Sequence, residues 1–258
     1  MAHRRHRLTL LFLCLACVGV CLLHPATAWA FGEEGVFHPR VLRVGNAVLD
    51  RERLSAPVRL SMELMKRTNA KARVAPVVVS ADSPLLWDEP FVWWFGAQDT
   101  GELSSREIAG IRTFLALGGV VLVDDSDPAV GAFGRSVRRE LARVLPDVAP
   151  VPMGAEHVVF RSYYLLERSV GRVRGPGVLE AWVRNGQAQV LLLSHDLAGA
   201  LARDRSGLPS FAMEPGDDMQ REMAIRLAVN VAMFVLCSNY KDDQVHAPFL
   251  MRRRVRDR

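Results

Sequence analysis

The sequence predicts an α/β fold: an open, mostly parallel central sheet between two helical layers, with an antiparallel hairpin added late. Three observations predict it. Short apolar segments without polar alternation recur along the chain, as in strands covered on both faces. Segments of helical period lie between them. Asn185-Gly186 separates two further strand-like segments, which is a type I′ hairpin signal.

The elements follow in order. "RVLRV" (Arg40–Val44) reads as the first strand. Ser55 precedes Ala56 and Pro57, a capping hydroxyl with proline in the first turn, so a helix starts there. Val58, Met62 and Met65 form its predicted apolar face, to about Thr68. "APVVVS" (Ala75–Ser80) and "PFVWWF" (Pro90–Phe95) are the next strands. Ser104 and Glu107 make a capping box. Ile108, Ile111 and Leu115 lie on one face, Phe114 beside them, and Gly118-Gly119 ends the helix. "VVLV" (Val120–Val123) is a strand that runs into Asp124 and Asp125. Asp127-Pro128 reads as a helix start. Phe133, Val137, Leu141 and Val144 recur at helical spacing, up to Pro146. Leu179–Arg184 and Gln187–Ser194 are the hairpin arms. A last helix runs from about Asp217 to Cys237. It is polar only at Asn230 beyond Leu227, so it should be buried, with Cys237 as a packed thiol.

The two ends differ from the body. "MAHRRHR" is basic, Leu8 to Leu23 is nearly all apolar, and "ATAWA" places small residues at Ala28 and Ala30. This is the pattern of a cleavable signal peptide, residues 1–30, with Phe31 as the new N-terminus. An uncleaved anchor is the alternative, although the apolar run falls short of the roughly 20 residues a spanning helix needs. A single domain, 31–240, and a basic tail, 241–258, follow. Cys14, Cys17 and Cys21 lie in the signal, so the exported chain keeps only Cys237 and forms no internal disulfide. The formal charge of +5 belongs to the ends. Residues 31–251 carry 25 basic and 27 acidic side chains. A basic nucleic-acid-binding face on the domain is therefore not expected, and no nucleic-acid partner is assigned.

Several segments together resemble a known family. They are "PFVWWFGAQDTGELSSREIAGIRTFLALGGVVLVDDSD", "GRSVRRELARVLPD", "HVVFRSYYLL", "SHDLAGAL" and "RLAVNVAMFVLCSNYKDDQVHAPFLMRRR". Their order is similar to that of the bacterial domain of unknown function 4159. The resemblance covers nearly all of the chain after the signal, but it carries no catalytic signature. It implies a three-layer, flavodoxin-like sandwich of the class I glutamine-amidotransferase type. It also implies residence in the cell envelope, beside modules of the von Willebrand A kind. The start, "RVGNAVLDRERLS", departs from the glycine- and tryptophan-rich start common in that family.

Candidate sites sit where such a sheet collects function, beyond the carboxyl ends of its strands. Asp124 and Asp125 should point to opposite sides of the sheet. They could serve a polar ligand, a metal or acid–base chemistry, or they could accept backbone N–H groups in turns. Gly96 ends the other central strand, at the turn where an amidotransferase-like fold would carry its nucleophile. No cysteine or serine stands there, and Thr100 and Ser104 suit a loop and a cap. His195, after the hairpin, could meet the aspartates if the strands are neighbours. Ser194-His195-Asp196 is not a triad, since consecutive residues do not converge on one point. His157 with Tyr163 and Tyr164 could line a pocket. No HxH, HExxH or CxxC spacing supports a zinc site, and no cofactor is expected. In the tail, Val245, Phe249 and Leu250 could dock on the domain or on a protein partner. Arg252, Arg253 and Arg254 could meet an anionic lipid surface. The expected function is a non-catalytic binding or protein-interaction module of the envelope. The alternative is a metal-assisted hydrolase using Asp124 or Asp125 with His195 or His157.

Overall fold

The computed structural model describes residues 35–256 except 46 and 48, with side chains described to residue 238. The expected signal segment and its three cysteines lie outside the described residues.

Seven strands form the main sheet: β2 (Arg40–Arg43), β4 (Val77–Ser80), β5 (Phe91–Gly96), β6 (Val120–Asp125), β7 (Pro150–Met153), β8 (Leu179–Arg184) and β9 (Gln187–Leu193). Their order is β4-β2-β5-β6-β9-β8-β7. The pairs from β4 across to β9 are parallel, and β8 pairs antiparallel with β9 and with β7. The expected mostly parallel sheet with a late hairpin is thus present. Asn185 and Gly186 both take positive φ (53° and 78°), as a type I′ turn demands. The hairpin is not simply appended at an edge. Its second arm, β9, lies beside β6, which brings residues 194–196 next to the aspartates. β1 (Val36–Phe37) and β3 (Lys71–Ala72) form a separate parallel pair.

The helices are α1 (Ala56–Arg67), α2 (Ser105–Ala116), α3 (Ala132–Val144), α4 (Leu197–Leu201) and α5 (Asp218–Arg256). Alternate residues of each central strand serve opposite layers. Trp93, Leu122 and Leu191 pack with Leu60, Leu64, Leu197 and Leu227, under α1, α4 and α5. Val92, Val121, Val123 and Val190 pack with Ile111, Phe114, Val137 and Leu141, under α2 and α3. The result is three layers, helix, sheet, helix.

The α2 capping box forms as expected: Glu107 N donates to Ser104 Oγ, and Ser104 N donates to Glu107 Oε2. Four readings of local sequence are corrected. On α1, Met62 and Met65 are exposed (50 % and 39 %), while Leu60 and Leu64 face the core. A methionine run resembles a core stripe, but the helix phase is set by the leucines. Ser55 precedes α1 without capping it. Its Oγ donates to Glu52 O and accepts from Arg203 N. Asp127-Pro128 opens a turn: Gly131 N donates to Asp127 O, and α3 begins after Gly131 at φ 66°. Finally, α5 runs on to Arg256, past the expected end near Cys237, and Cys237 is exposed. The side chains of Val245, Phe249, Leu250, Arg252, Arg253 and Arg254 lie outside the described residues. No helix of the described residues is long and apolar enough to cross a membrane.

Candidate functional site

The acidic strand end explains itself through alternation. Asp124 and Asp125 lie at adjacent positions of β6 and turn to opposite layers. Asp124 is fully buried and accepts Leu197 N at 2.8 Å and Ala198 N at 2.6 Å. It therefore satisfies the first turn of α4 from a neighbouring strand. Asp125 points the other way. It accepts Asp127 N and Gly134 N, both at 3.1 Å, and so ties the β6–α3 loop to the start of α3. Gly134 is required here, because a Cβ would stand 2.7 Å from Asp125 Oδ2. Burial raises the pKa of both carboxyls. At Asp124 the neighbouring Asp196 pushes the same way, against the two backbone donors. Both aspartates hold backbone in place.

Asp196 belongs to the same assembly, although the sequence offered it only as a member of a rejected triad. It stands at φ 52° before α4, fully buried, and its Oδ1 accepts Gly199 N at 2.9 Å. Arg53 Nε and Nη2 donate to its two oxygens at 2.9 and 2.7 Å, and Arg172 Nε donates to Oδ2. Arg53 also lies over the Phe211 ring, 4.2 Å from its centroid. The available signal was an aspartate directly before "LAGAL", the position of a helix cap. Its arginine partners are remote in sequence and carried no local mark.

His195 is 1 % exposed. Its Nε2 donates to Pro176 O at 2.6 Å, which leaves Nδ1 to face Ser169 Oγ at 3.5 Å. Gly171 and Gly175 let the loop close over the imidazole. A Cβ at Gly175 would meet the ring at 3.0 Å. Burial, together with Arg168, lowers the His195 pKa to about 4, against the Pro176 hydrogen bond. The native state then keeps the ring neutral where the unfolded chain would take up a proton. Stability contributed this way is intact above pH 6.5 and is lost as pH falls toward 4. In urea titrations, His195→Gln should flatten the fall of the unfolding midpoint between those two values. An identical slope in the variant would contradict the assignment.

Two clefts open at this end of the sheet. The larger, about 730 Å³, is lined by Asp125, Arg135, Arg138, Arg172, Arg174 and Ser194, among others. The smaller, about 330 Å³, is lined by Ser169, His195, Asp217, Gln220 and Met223, with Arg174 and Gly175 shared between the two. Asp125 and His195 thus face different clefts, and Asp124 lines neither.

The remaining candidates are elsewhere. Gly96 lines neither cleft. The Phe133 ring lies over it, 2.7 Å from where a Cβ would stand, so it is a packing glycine. His157 accepts Val159 N at 3.2 Å and packs edge-on against Phe234. Tyr163 donates its hydroxyl to Arg67 O, and Asn230 Oδ1 accepts the N–H groups of Tyr163 and Tyr164 at 3.2 and 2.7 Å. Asn230, the one polar residue of the otherwise apolar stretch of α5 from Leu227 to Cys237, is the clamp for that loop. His157 and Tyr163 do not join His195 or the aspartates. Among the described residues no group of three or more His, Cys, Asp or Glu side chains could hold a metal ion.

In the larger cleft the charge is uneven. Arg138 pairs with Glu180, and Arg172 with Asp196 and Glu214. Arg135 donates to Val130 O at 2.8 Å, and neither it nor Arg174 forms an ion pair with a described residue. The cleft therefore presents two guanidiniums outside any ion pair with a described residue, with Arg135 acting on the nearby Asp99 and with Asp127, whose Oδ1 accepts Val130 N at 3.4 Å, also in the lining.

Comparison with curated proteins finds no match for this chain. The family profile of the domain of unknown function DUF4159 matches residues 40–236, from the first strand of the main sheet into the buried half of α5. The chain belongs to the DUF4159 family.

Proposed function

We propose that this protein is an exported, non-catalytic binding module of the bacterial cell envelope, and that its larger cleft receives an acidic segment of a partner protein. The observation that carries the reading is the unpaired positive charge of Arg135 and Arg174 in a cleft of about 730 Å³ at the carboxyl ends of β6 and β9. That rim is where an open α/β sheet presents ligands. Guanidiniums recognise carboxylates with paired, directional donors. The polar groups that could have carried chemistry are already engaged: Asp124, Asp125 and Asp196 hold backbone and arginines, and His195 is capped by Pro176. No cysteine or serine stands at Gly96. The signal-like first 30 residues support export.

The test is capture from envelope extracts with the tagged chain. The double variant Arg135→Glu, Arg174→Glu should lose the captured partner and keep the wild-type unfolding midpoint, since both side chains are exposed. Wild-type capture should weaken as salt shortens the Debye length from about 10 Å at 0.1 M. Undiminished capture by the double variant would overturn the reading.

A further inference from the structure

On the other helical layer, the start of α1 meets the turn after α4 and the start of α5. Three arginines converge there. Arg203 N donates to Ser55 Oγ at 2.8 Å, which fixes Arg203 beside the first turn of α1. Arg203 and Pro209 form an antiparallel bridge, and Ser210 N donates to Ala202 O at 3.1 Å, so Pro209 stands opposite Arg203 and Ser210 opposite Ala202. Arg221 reaches the same turn, with Nη1 donating to Ala200 O at 2.6 Å and Nη2 to Phe211 O at 2.7 Å.

The donors of this cluster outnumber its acceptors. Arg203 Nε and Nη1 and Arg59 Nε are buried atoms of partly exposed side chains and have no hydrogen-bond partner. The carboxylate within reach is Glu63. It is already shared between Arg59 and Arg67, the latter at 2.5 Å, and Arg67 is paired again with Glu222. Arg221 feels Asp218, which precedes it by one helical turn. Burial lowers the Arg203 pKa, and Arg59 and Arg221 lower it further, against the attraction of Glu63. Like charges held together with unpaired, buried N–H groups are costly unless an anion joins them.

We propose that Arg59 and Arg203, backed by Arg221, form a binding site for a phosphate-type oxyanion, either the free ion or a phosphoryl ester. The donors arrive from two segments, α1 and the 203–210 turn. A tetrahedral anion with several oxygens can accept from both at once, whereas a flat carboxylate is satisfied by one guanidinium fork. The site is separate from the arginine cleft above the strand ends, and it stands or falls independently of the function proposed for that cleft.

The test is calorimetric titration and thermal unfolding of the full-length chain with inorganic phosphate, against chloride at equal ionic strength. Phosphate should bind and raise the unfolding temperature where chloride does not. Arg203→Met should lose the response, and its unliganded unfolding temperature should match or exceed wild type, because its buried unpaired N–H groups are gone. Arg59→Met should bind about tenfold more weakly, as expected for one lost hydrogen bond to a charged ligand. Glycerol phosphate binding as well as phosphate assigns the site to phosphoryl esters, and phosphate alone assigns it to the free ion. Either outcome supports the site. No phosphate-specific response in the wild type would overturn it. So would a full response in Arg203→Met, or a response abolished by Arg135→Glu, Arg174→Glu instead.

Discussion

Asp196→Ala should destabilise the fold by about 3–5 kcal/mol, the cost of breaking a buried ion pair from one side. The carboxylate is fully buried between Arg53 and Arg172 and also accepts Gly199 N. Its removal leaves the nearly buried Arg53 guanidinium with Asp50 as its remaining carboxylate, and leaves Gly199 N without its acceptor. Native domains are stable by only about 5–15 kcal/mol, so the loss is a large share of the total. Asp196→Asn keeps the shape and an acceptor for the cap but lacks the charge, and it should fall between the two. Urea midpoints of the three proteins make the comparison. A midpoint for Asp196→Ala within about 1 kcal/mol of wild type would show that the arginines find other partners.

Asp124→Ala should cost about 3 kcal/mol, because it leaves Leu197 N and Ala198 N buried without an acceptor. Asp124→Asn should behave differently. Burial and Asp196 already raise the Asp124 pKa, so the native state favours the protonated carboxyl; an amide shares its neutrality but offers one acceptor oxygen to the two N–H groups. The sign follows from linkage. The folded state holds a proton that the unfolded chain releases above its ordinary value of 3.8, so this group's contribution to stability falls as pH rises. The stability of wild type relative to Asp124→Asn should therefore decline from pH 4 upward. A difference that stays flat, or grows with pH, would show an ionised Asp124 in the native state.

These two effects concern neighbouring groups, and they change how the acidic strand end is understood. Adjacent aspartates at the rim of an α/β sheet suggest a shared site. Alternation instead gives each one a loop or helix to hold, on opposite faces. With Asp196 added, one rim carries three buried carboxylates, all spent on architecture. What is left over for binding is positive: Arg135 and Arg174 in the cleft, and Arg203 on the far layer.

The residue pattern alone determined the layered α/β class. It is written in local chemistry: unbroken apolar strands such as "PFVWWF", the Ser104–Glu107 box, the Asn185-Gly186 turn and the family's ordered segments. Each of those depends on residues close together in the chain. It also foretold that Asp124 and Asp125 would diverge, since that needs only the period of a strand. Tertiary structure decided what local pattern does not encode. Placing β9 beside β6 brought Asp124 under α4, and folding α1 against the 203–210 turn brought Arg59 to Arg203. Arg53 meets Asp196 across a sequence separation of 143 residues. Such encounters depend on strand order and on which layer each helix joins. A charged side chain looks the same in sequence whether its partner is a carboxylate, a backbone carbonyl or an incoming ligand.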